Sequence, residues 1–230
     1  MVRNVAIIPA RSGSKRIKDK NIHPFGGRPL LSWSVSHALE SGIFDLVYVS
    51  TDSPEYAKIA ESYGSTQPFL RNECADDFST VADVVVRELK RLEEHFGTQY
   101  DNLAIMQPTC PLCPPDVIKR AYREFLEGDA ITMTSCFPFS YGNPWWAFKR
   151  NDSCEAEFVL SNPVESRSQD RPQLYCPTGS IIFAKCPEFK DNPVLYGAGH
   201  KFFPVSWKHG FDIDTPEDMD MGELLLKLDT

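Results

Sequence analysis

The chain of 230 residues is 42% hydrophobic, which is enough for one sizeable α/β core or for a core with a small lobe. Its 32 acidic side chains outnumber the 24 basic ones and leave a net charge of −8 at pH 7, which disfavours nucleic acid as a partner. No apolar run is long enough to span a bilayer and the N-terminal segment lacks a signal-peptide pattern, so the sequence predicts no membrane partner and a cytoplasmic protein.

The first predicted strand, residues 5–9, is an apolar run that ends at a loop of small and basic residues. The small residues let backbone N–H groups approach an anion closely, and fixed cations neutralise it. The segment therefore predicts a phosphate-binding loop at the carboxyl end of the first strand, where nucleotide folds place it. Its five cations are Arg11, Lys15, Arg16, Lys18 and Lys20.

This loop matches neither of the common phosphate motifs. It lacks the glycine spacing of the P-loop, and Gly13 is its only glycine where the dinucleotide fingerprint requires three. A solvated basic loop without a ligand is the alternative interpretation. A small phosphorylated ligand is favoured because the cations are concentrated in one loop of an acidic chain.

Strand and helix patterns alternate through the first 135 residues. Such alternation is typical of a mostly parallel sheet with helices on both faces, which binds its ligands at the carboxyl ends of the strands. Prolines at the predicted helix starts and glycines just past the ends support the boundaries. The predicted strands are 5–9, 46–50, 103–106 and 130–134, and the predicted helices are 29–40, 54–63, 81–94 and 114–126.

The pattern changes from residue 137, where aromatic and turn-forming residues replace the helical period. We interpret residues 137–180 as an inserted arm or lid within a single domain that spans residues 1–230. Its side chains Trp145, Trp146 and Phe148 form either the core of the insertion or part of a subunit interface. Short strands are predicted at 158–160, 180–183 and 201–205.

The seven cysteines are odd in number and scattered along the chain, which is typical of reduced thiols in a cytoplasmic protein. Cys110 and Cys113 have the spacing of half a zinc site. The sequence lacks a second Cys or His pair that would complete one, so we do not predict zinc there.

The second informative segment contains Asp212 and Asp214, separated by one apolar residue. In an extended chain the two carboxylates share a face, where they repel each other unless a cation lies between them. Magnesium suits such a pair, because it is often held by one or two carboxylates together with substrate phosphates. The alternative is a helix-capping role for Asp214 and a surface ion pair for Asp212. A helix is predicted over 216–228, with Thr215 as its N-cap and Asp218 completing a capping box.

Together these motifs resemble the acylneuraminate (nonulosonic acid) cytidylyltransferases, the family of enzymes like CMP-sialic acid synthetase that includes those for pseudaminic and legionaminic acids. The family's opening pattern, Ile-Pro-Ala-Arg-x-Gly-Ser-Lys-x-Ile-x-x-Lys-Asn, is met by residues 8–21, and the matches cover nearly the whole chain. The resemblance implies a Rossmann-like α/β fold with a mostly parallel sheet and a small β/loop arm that pairs subunits into a homodimer. The further matching segments are 49–52, Arg71 with Asp76 and Asp77, 107–109, 167–170, Tyr175 with Gly179, and 212–214.

The resemblance also implies roles for individual residues. CTP and an acidic nine-carbon sugar would be the partners, Mg²⁺ the cofactor, and Asp212 and Asp214 its ligands. The implied catalytic residues are Arg11, Lys20, Asp212 and Asp214. The implied nucleotide-binding residues are Ala10, Arg11, Ser14, Lys15, Lys20, Asn21, Arg71 and Thr80, and the implied sugar-binding residues are Gln107, Arg167, Gln169 and Tyr175.

The implied reaction joins CTP to a nine-carbon 2-keto acid sugar and releases pyrophosphate. The motifs do not identify the sugar, because residues 76–78 and 167–170 resemble the pseudaminic branch while residues 175–180 resemble the sialic or legionaminic branch. Three alternatives are a 3-deoxy-octulosonate cytidylyltransferase, a nucleotidyltransferase for sugar 1-phosphates and a catalytically silent nucleotide-binding protein. The second usually opens with Gly-x-Gly-Thr-Arg, which is absent here.

Overall fold

A computed structural model describes residues 2–72, 80–140, 142–160 and 170–228. The strands in these ranges are β1 (Asn4–Pro9), β2 (Pro24–Phe25), β3 (Arg28–Pro29), β4 (Leu46–Ser50), β5 (Asn102–Ile105), β6 (Thr132–Pro138), β7 (Phe148–Arg150), β8 (Ala156–Phe158), β9 (Tyr175–Lys185) and β10 (His200–Pro204). The α-helices are α1 (Leu30–Ser41), α2 (Pro54–Ser62), α3 (Val81–Phe96), α4 (Pro115–Glu127), α5 (Cys186–Asp191) and α6 (Pro216–Lys227). No helix in these ranges is long and apolar enough to cross a membrane.

The centre of the molecule is a six-stranded sheet in the order β10-β6-β9-β5-β1-β4. β1 pairs in parallel with both β4 and β5, and β10 pairs in parallel with β6. β9 runs antiparallel to its two neighbours, β5 and β6, so five of the six strands run in one direction. The mostly parallel α/β fold that the sequence predicts is therefore confirmed.

Helices cover both faces of this sheet. Since successive strand residues point to opposite sides, each strand contributes side chains to both packed layers. Ala6 and Ile8 of β1 face α1, α2 and α4, and Val5 and Ile7 face α3 and α5. All four side chains are fully buried. Burying a large aliphatic side chain such as Val5, Ile7 or Ile8 contributes about 1.5–3 kcal/mol to the free energy of folding. The unbroken apolar run in the sequence is therefore explained by packing on both faces of β1.

Local capping signals set the helix ends as expected. Pro54 and Pro115 occupy first-turn positions, and Gly42 ends α1 with a left-handed φ of 64°. The predicted capping box of Thr215 and Asp218 is present at the start of α6. Helix α1 begins one residue later than predicted, at Leu30, so Pro29 is its N-cap and not its first helical residue.

A separate apolar cluster joins the two ends of the chain. Phe25 and Leu30, around the β2–β3 hairpin, pack with Ile213 and with Met219 and Leu225 of α6. A Cβ on Gly222 of α6 would lie 2.9 Å from a ring carbon of Phe25, so glycine allows the close approach. This packing holds the segment before α6 next to the basic loop that follows β1.

The strands β6 and β9 extend into the two ends of the segment that we interpret as an insertion, residues 137–180. Pro138 pairs with Tyr175, after a register shift between Thr134 and Cys136 of β6. Beyond these strands, β7 and β8 form a separate hairpin. Phe148 is 57% exposed and Trp146 is 45% exposed, so these two side chains do not form a buried core within the monomer.

Candidate active site

The main cleft lies at the carboxyl ends of β1 and β5 and has a volume of about 480 Å³. It lies at the edge of the sheet where the sequence predicts ligand binding. Seven of the predicted site residues meet in its walls. The lining residues are Pro9, Arg11, Ser14, Lys15, Arg16, Ile17, Lys20, Asn21, Gln107 and Asp214.

Lys20 connects the basic loop to the acidic segment. Its Nζ donates hydrogen bonds to the backbone oxygen of Ile213 and to Oδ1 of Asp214, each 2.9 Å long. Arg16 contacts the second carboxylate oxygen of Asp214 at 2.5 Å. The hydrogen bond from Lys20 holds the pKa of Asp214 below its ordinary value, and Arg16 adds to the effect.

Asp212 has a different environment from Asp214. Partial desolvation by the surrounding protein raises the pKa of Asp212, and the charge of Asp214 adds to this, although the Thr109 side chain donates a hydrogen bond to Asp212. The sequence presents the two aspartates as equal repulsive partners. They are unequal, since within the described ranges only Asp214 is paired directly with cations.

The donor set of this segment fits magnesium. Asp212 and Asp214 supply hard oxygen donors, and a divalent cation would relieve their mutual repulsion. No group of three or more His, Cys, Asp or Glu side chains able to hold a metal ion occurs in the described part of the chain. Two protein carboxylates leave the remaining coordination positions to phosphate oxygens and water, which is the usual arrangement for magnesium.

Two predicted nucleotide-binding residues shape the loop from inside. Ala10 is fully buried, and its N–H donates a hydrogen bond of 2.9 Å to the backbone oxygen of Ser50. The Asn21 side chain is 5% exposed, and its Nδ2 donates a hydrogen bond of 3.0 Å to the backbone oxygen of Arg11. These contacts fold the chain back on itself, and four of the five loop cations line the cleft.

Sequence reasoning missed the contact between Asp52 and Ser12. Asp52 follows β4, and its carboxylate accepts hydrogen bonds of 2.8 Å from both the N–H and the hydroxyl of Ser12. Burial disfavours the ionised form of Asp52, but these hydrogen bonds outweigh that effect and lower its pKa. The signal in the sequence was the matching segment 49–52, to which no role was assigned.

Arg71 lies on the far side of Asp52. Its side chain is nearly buried, and Nη2 lies 3.9 Å from Oδ1 of Asp52. Its Nε and Nη2 atoms have no hydrogen-bond partner within the described ranges. Unpaired buried donors are costly, which makes this guanidinium a candidate to bind a ligand.

Two further predicted residues, Thr80 and Tyr175, are described by the structure and do not line the cleft. Thr80 caps α3, where its hydroxyl is hydrogen-bonded to Asp83. Tyr175 is 50% exposed at the start of β9. Arg167 and Gln169 lie outside the described residues, as do Asp76 and Asp77.

A second cavity of about 210 Å³ adjoins the cleft. Gly179 in its wall packs against Gln107 of the cleft, because a Cβ on Gly179 would lie 2.5 Å from Cγ of Gln107. Asp212 lines the second cavity and Asp214 lines the cleft, so the two cavities meet at the acidic segment. The cavity is lined by Phe137, Cys176, Pro177, Thr178, Gly179, Trp207, Gly210, Phe211 and Asp212.

Comparisons with known proteins show what the chain is similar to in sequence and in fold. Residues 5–140 match the family model described as Cytidylyltransferase. The chain is 32% identical over 228 residues to a pseudaminic acid cytidylyltransferase of Campylobacter jejuni, covering 99% of this chain and 97% of that protein. It is 31% identical over 229 residues to CMP-N,N'-diacetyllegionaminic acid synthase of Legionella pneumophila, again covering 99% and 97%. The solved structure of CMP:2-keto-3-deoxy-manno-octonic acid synthetase complexed with CTP shares the fold, with a TM-score of 0.75, 18% identity and coverage of 99% of this chain and 100% of that one.

Proposed function

The chain belongs to the cytidylyltransferase family, and we propose that it transfers CMP from CTP to a nine-carbon 2-keto acid sugar of the nonulosonic class, releasing pyrophosphate. The observation that carries the proposal is the cleft in which Lys20 joins a basic loop to Asp214. A triphosphate needs the cations, and the acidic segment beside them suits a phosphate-bound metal ion.

The nucleotide binds with its triphosphate against the loop after β1. Arg11, Lys15 and Lys20 line the cleft there and neutralise the phosphate charge. Arg71 binds the cytidine end through Nε and Nη2, which have no hydrogen-bond partner in the described structure. Asp52 keeps the two parts together, because it contacts the loop at Ser12 and faces Arg71.

The chemical step is an in-line displacement at the α-phosphate. The oxygen of the sugar's anomeric hydroxyl forms the new bond to the α-phosphorus and gives up its proton to solvent. The bond between the α-phosphorus and the oxygen that bridges to the β-phosphate breaks, and pyrophosphate leaves with that electron pair. Arg11 and Lys20 stabilise the negative charge that grows on the leaving phosphates, and the closed loop orients the triphosphate. Asp212 and Asp214 would hold a magnesium ion, which supplies further charge neutralisation at the phosphates.

The acid sugar binds beside Gln107, on the β5 side of the cleft. By the family resemblance, Arg167, Gln169 and Tyr175 complete its site. Arg167 pairs with the sugar carboxylate, because a guanidinium matches a carboxylate with two parallel hydrogen bonds. The octulosonate alternative has less support, since the structure of that type is 18% identical, whereas the two relatives described above, at 32% and 31% identity, are named for pseudaminic and diacetyllegionaminic acids.

We further propose that the enzyme works as a cytoplasmic homodimer. The hairpin of β7 and β8 exposes apolar side chains, among them Phe148 and Phe158, which a second subunit would cover. All six cysteines in the described ranges are free thiols, as expected in a reducing compartment.

The direct test is pyrophosphate release from CTP with a panel of acid sugars. We expect turnover with at least one nonulosonic acid, dependence on added magnesium, and much lower rates with UTP or ATP in place of CTP. Identification of the CMP-sugar by mass spectrometry excludes simple CTP hydrolysis. Turnover with 3-deoxy-octulosonate alone, or with none of the sugars, would contradict the proposal.

A further inference from the structure

The second cavity has an aromatic lining that the proposed reaction does not yet use. Phe137 follows the bulge of β6, while Trp207 and Phe211 lie in the segment before α6 with their ring centroids 5.5 Å apart. Trp207 lines this cavity and is 46% exposed. We call the cavity formed around these three rings the aromatic pocket.

The polar side chains in its walls are already bonded within the protein. The Thr178 hydroxyl lies 2.6 Å from the Ser135 hydroxyl and accepts a hydrogen bond of 3.3 Å from the N–H of Ser180. The Cys176 thiol donates to the backbone oxygen of Pro177. These groups are therefore committed, and a ligand hydroxyl in the pocket would lose its hydrogen bonds to water for little return.

The pocket is placed to receive part of the sugar. It touches the cleft where Gly179 packs against Gln107. Asp212 is the charged residue among the described residues that line it. At about 210 Å³ it is smaller than the roughly 300–1,000 Å³ of sites that enclose a whole ligand. It therefore has room for one substituent of a nine-carbon sugar whose anomeric carbon lies in the cleft.

We propose that the aromatic pocket binds a methyl-terminated substituent of the acid sugar, such as an acylamino group or a deoxygenated chain end, and selects against its hydroxylated counterpart. This inference rests on the proposed function and specifies the substrate class of the same site. An apolar pocket rejects an analogue that only adds a hydroxyl by up to about 100-fold, so we expect a preference of about 10–100-fold in kcat/KM.

The test uses pairs of acid sugars that differ by one hydroxyl. One pair is the N-acetyl and N-glycolyl forms of the same sugar, and the other is its 9-deoxy and 9-hydroxy forms. Both members of each pair are assayed with wild-type protein, with Trp207→Ala and with Trp207→Phe. Phe202→Ala is the matched control, because Phe202 is also an exposed aromatic residue, at 47%, and lies on β10 away from both cavities.

We expect the wild-type protein to prefer the methyl-terminated member of at least one pair by about 10–100-fold. Trp207→Ala should bring that ratio close to one by opening the pocket to water, whereas Trp207→Phe and Phe202→Ala should retain it. KM for CTP should stay constant in all variants. Circular dichroism and thermal melting show whether Trp207→Ala is folded. If it is not, the ratios of the wild-type protein alone decide whether the site selects a methyl group.

Failure of the inference is distinguishable from failure of the proposed function. If wild-type protein uses acid sugars but treats both members of every pair alike, the pocket does not select a methyl group. The same holds if Trp207→Ala slows all sugars equally and leaves the ratios unchanged. If no acid sugar is accepted at all, the proposed function is wrong and the inference falls with it.

Discussion

Asp52 accepts two hydrogen bonds from Ser12, one from the N–H and one from the hydroxyl, and each is 2.8 Å long. The contact joins the end of β4 to the loop after β1, and the same carboxylate faces the nearly buried Arg71. One side chain therefore links the proposed phosphate and cytidine regions of the cleft.

Asp52→Asn should raise KM for CTP by about fivefold, corresponding to about 1 kcal/mol, with a smaller change in kcat. An amide can keep both contacts with Ser12, because its oxygen accepts from the N–H and its nitrogen donates to the hydroxyl. The variant therefore removes mainly the charge that faces Arg71. Steady-state kinetics with varied CTP measure the effect. Ser12→Ala, which removes one hydrogen bond and no charge, serves for comparison, and a larger effect of Ser12→Ala would contradict the role of the charge.

Asp52 should also contribute a stabilisation that depends on pH. Its folded-state pKa is lowered, so the contribution is fully present above the ordinary aspartate pKa of about 4 and is lost as pH falls through the lower folded value. Thermal unfolding of wild-type protein and Asp52→Asn between pH 7 and pH 3 measures the difference. The gap in melting temperature should be constant near neutral pH and shrink below about pH 4. A gap that grows on acidification would show the opposite sign.

Lys20→Ala should lower kcat/KM by about one to two decades, because charge-assisted hydrogen bonds contribute roughly 1.5–3 kcal/mol. The variant removes the cation that we assign to the leaving pyrophosphate and the tie to Asp214. Lys18→Ala is the matched control, since Lys18 belongs to the same loop but does not line the cleft. Equal effects of the two substitutions would indicate a general loss of positive charge rather than a specific role for Lys20.

Asp212→Asn and Asp214→Asn should both abolish magnesium-dependent turnover but should differ in stability. Asp214 is paired with Lys20 and Arg16, so its neutralisation should lower the melting temperature. Asp212 experiences repulsion from Asp214, so Asp212→Asn should melt no earlier than the wild-type protein in metal-free buffer. Calorimetry in EDTA, combined with assays at saturating CTP, separates the two effects. Near wild-type turnover in both variants would refute the metal assignment.

Gly179→Ala should destabilise the protein by about 1–3 kcal/mol, since the new methyl group would lie 2.5 Å from Cγ of Gln107. Relief of this clash displaces Gln107 in the cleft wall, so KM for the acid sugar should rise more than KM for CTP. Gly197→Ala is the control, because its Cβ would meet only Val194, outside the cleft. Chemical denaturation and steady-state kinetics provide the two measurements. An unchanged sugar KM would remove Gln107 from the sugar site.

The local features of this protein follow from its sequence because they depend on near neighbours. The apolar run of β1 predicts a strand buried on both faces, and the structure confirms it. The capping box of Thr215 and Asp218 needs four consecutive residues, and it is present where the sequence predicts it. The clustering of cations after β1 likewise predicts the wall of the cleft before any contact is known.

The position of β9 was not predictable in the same way. The sequence predicts only a short strand at 180–183, whereas the strand spans Tyr175–Lys185 and lies between β5 and β6. Strand order depends on which edges remain available after the helices have packed, and no local pattern records that choice.

The sequence alone was enough to identify the family, the alternation of the main strands and helices through the first 135 residues, and the residue types that gather at one edge of the sheet. The folded structure pairs Asp214 with Lys20, which lies 194 positions away in the chain. It gives Asp212 a raised pKa, because desolvation and the charge of Asp214 both disfavour its ionised form. The physical reason is that α6 packs against the β2–β3 hairpin through Phe25, which brings the acidic segment to the basic loop. Packing decides which charges meet when the segments are so distant in the chain. The alternation of side chains along an extended segment cannot distinguish the two carboxylates, because it places both on the same face.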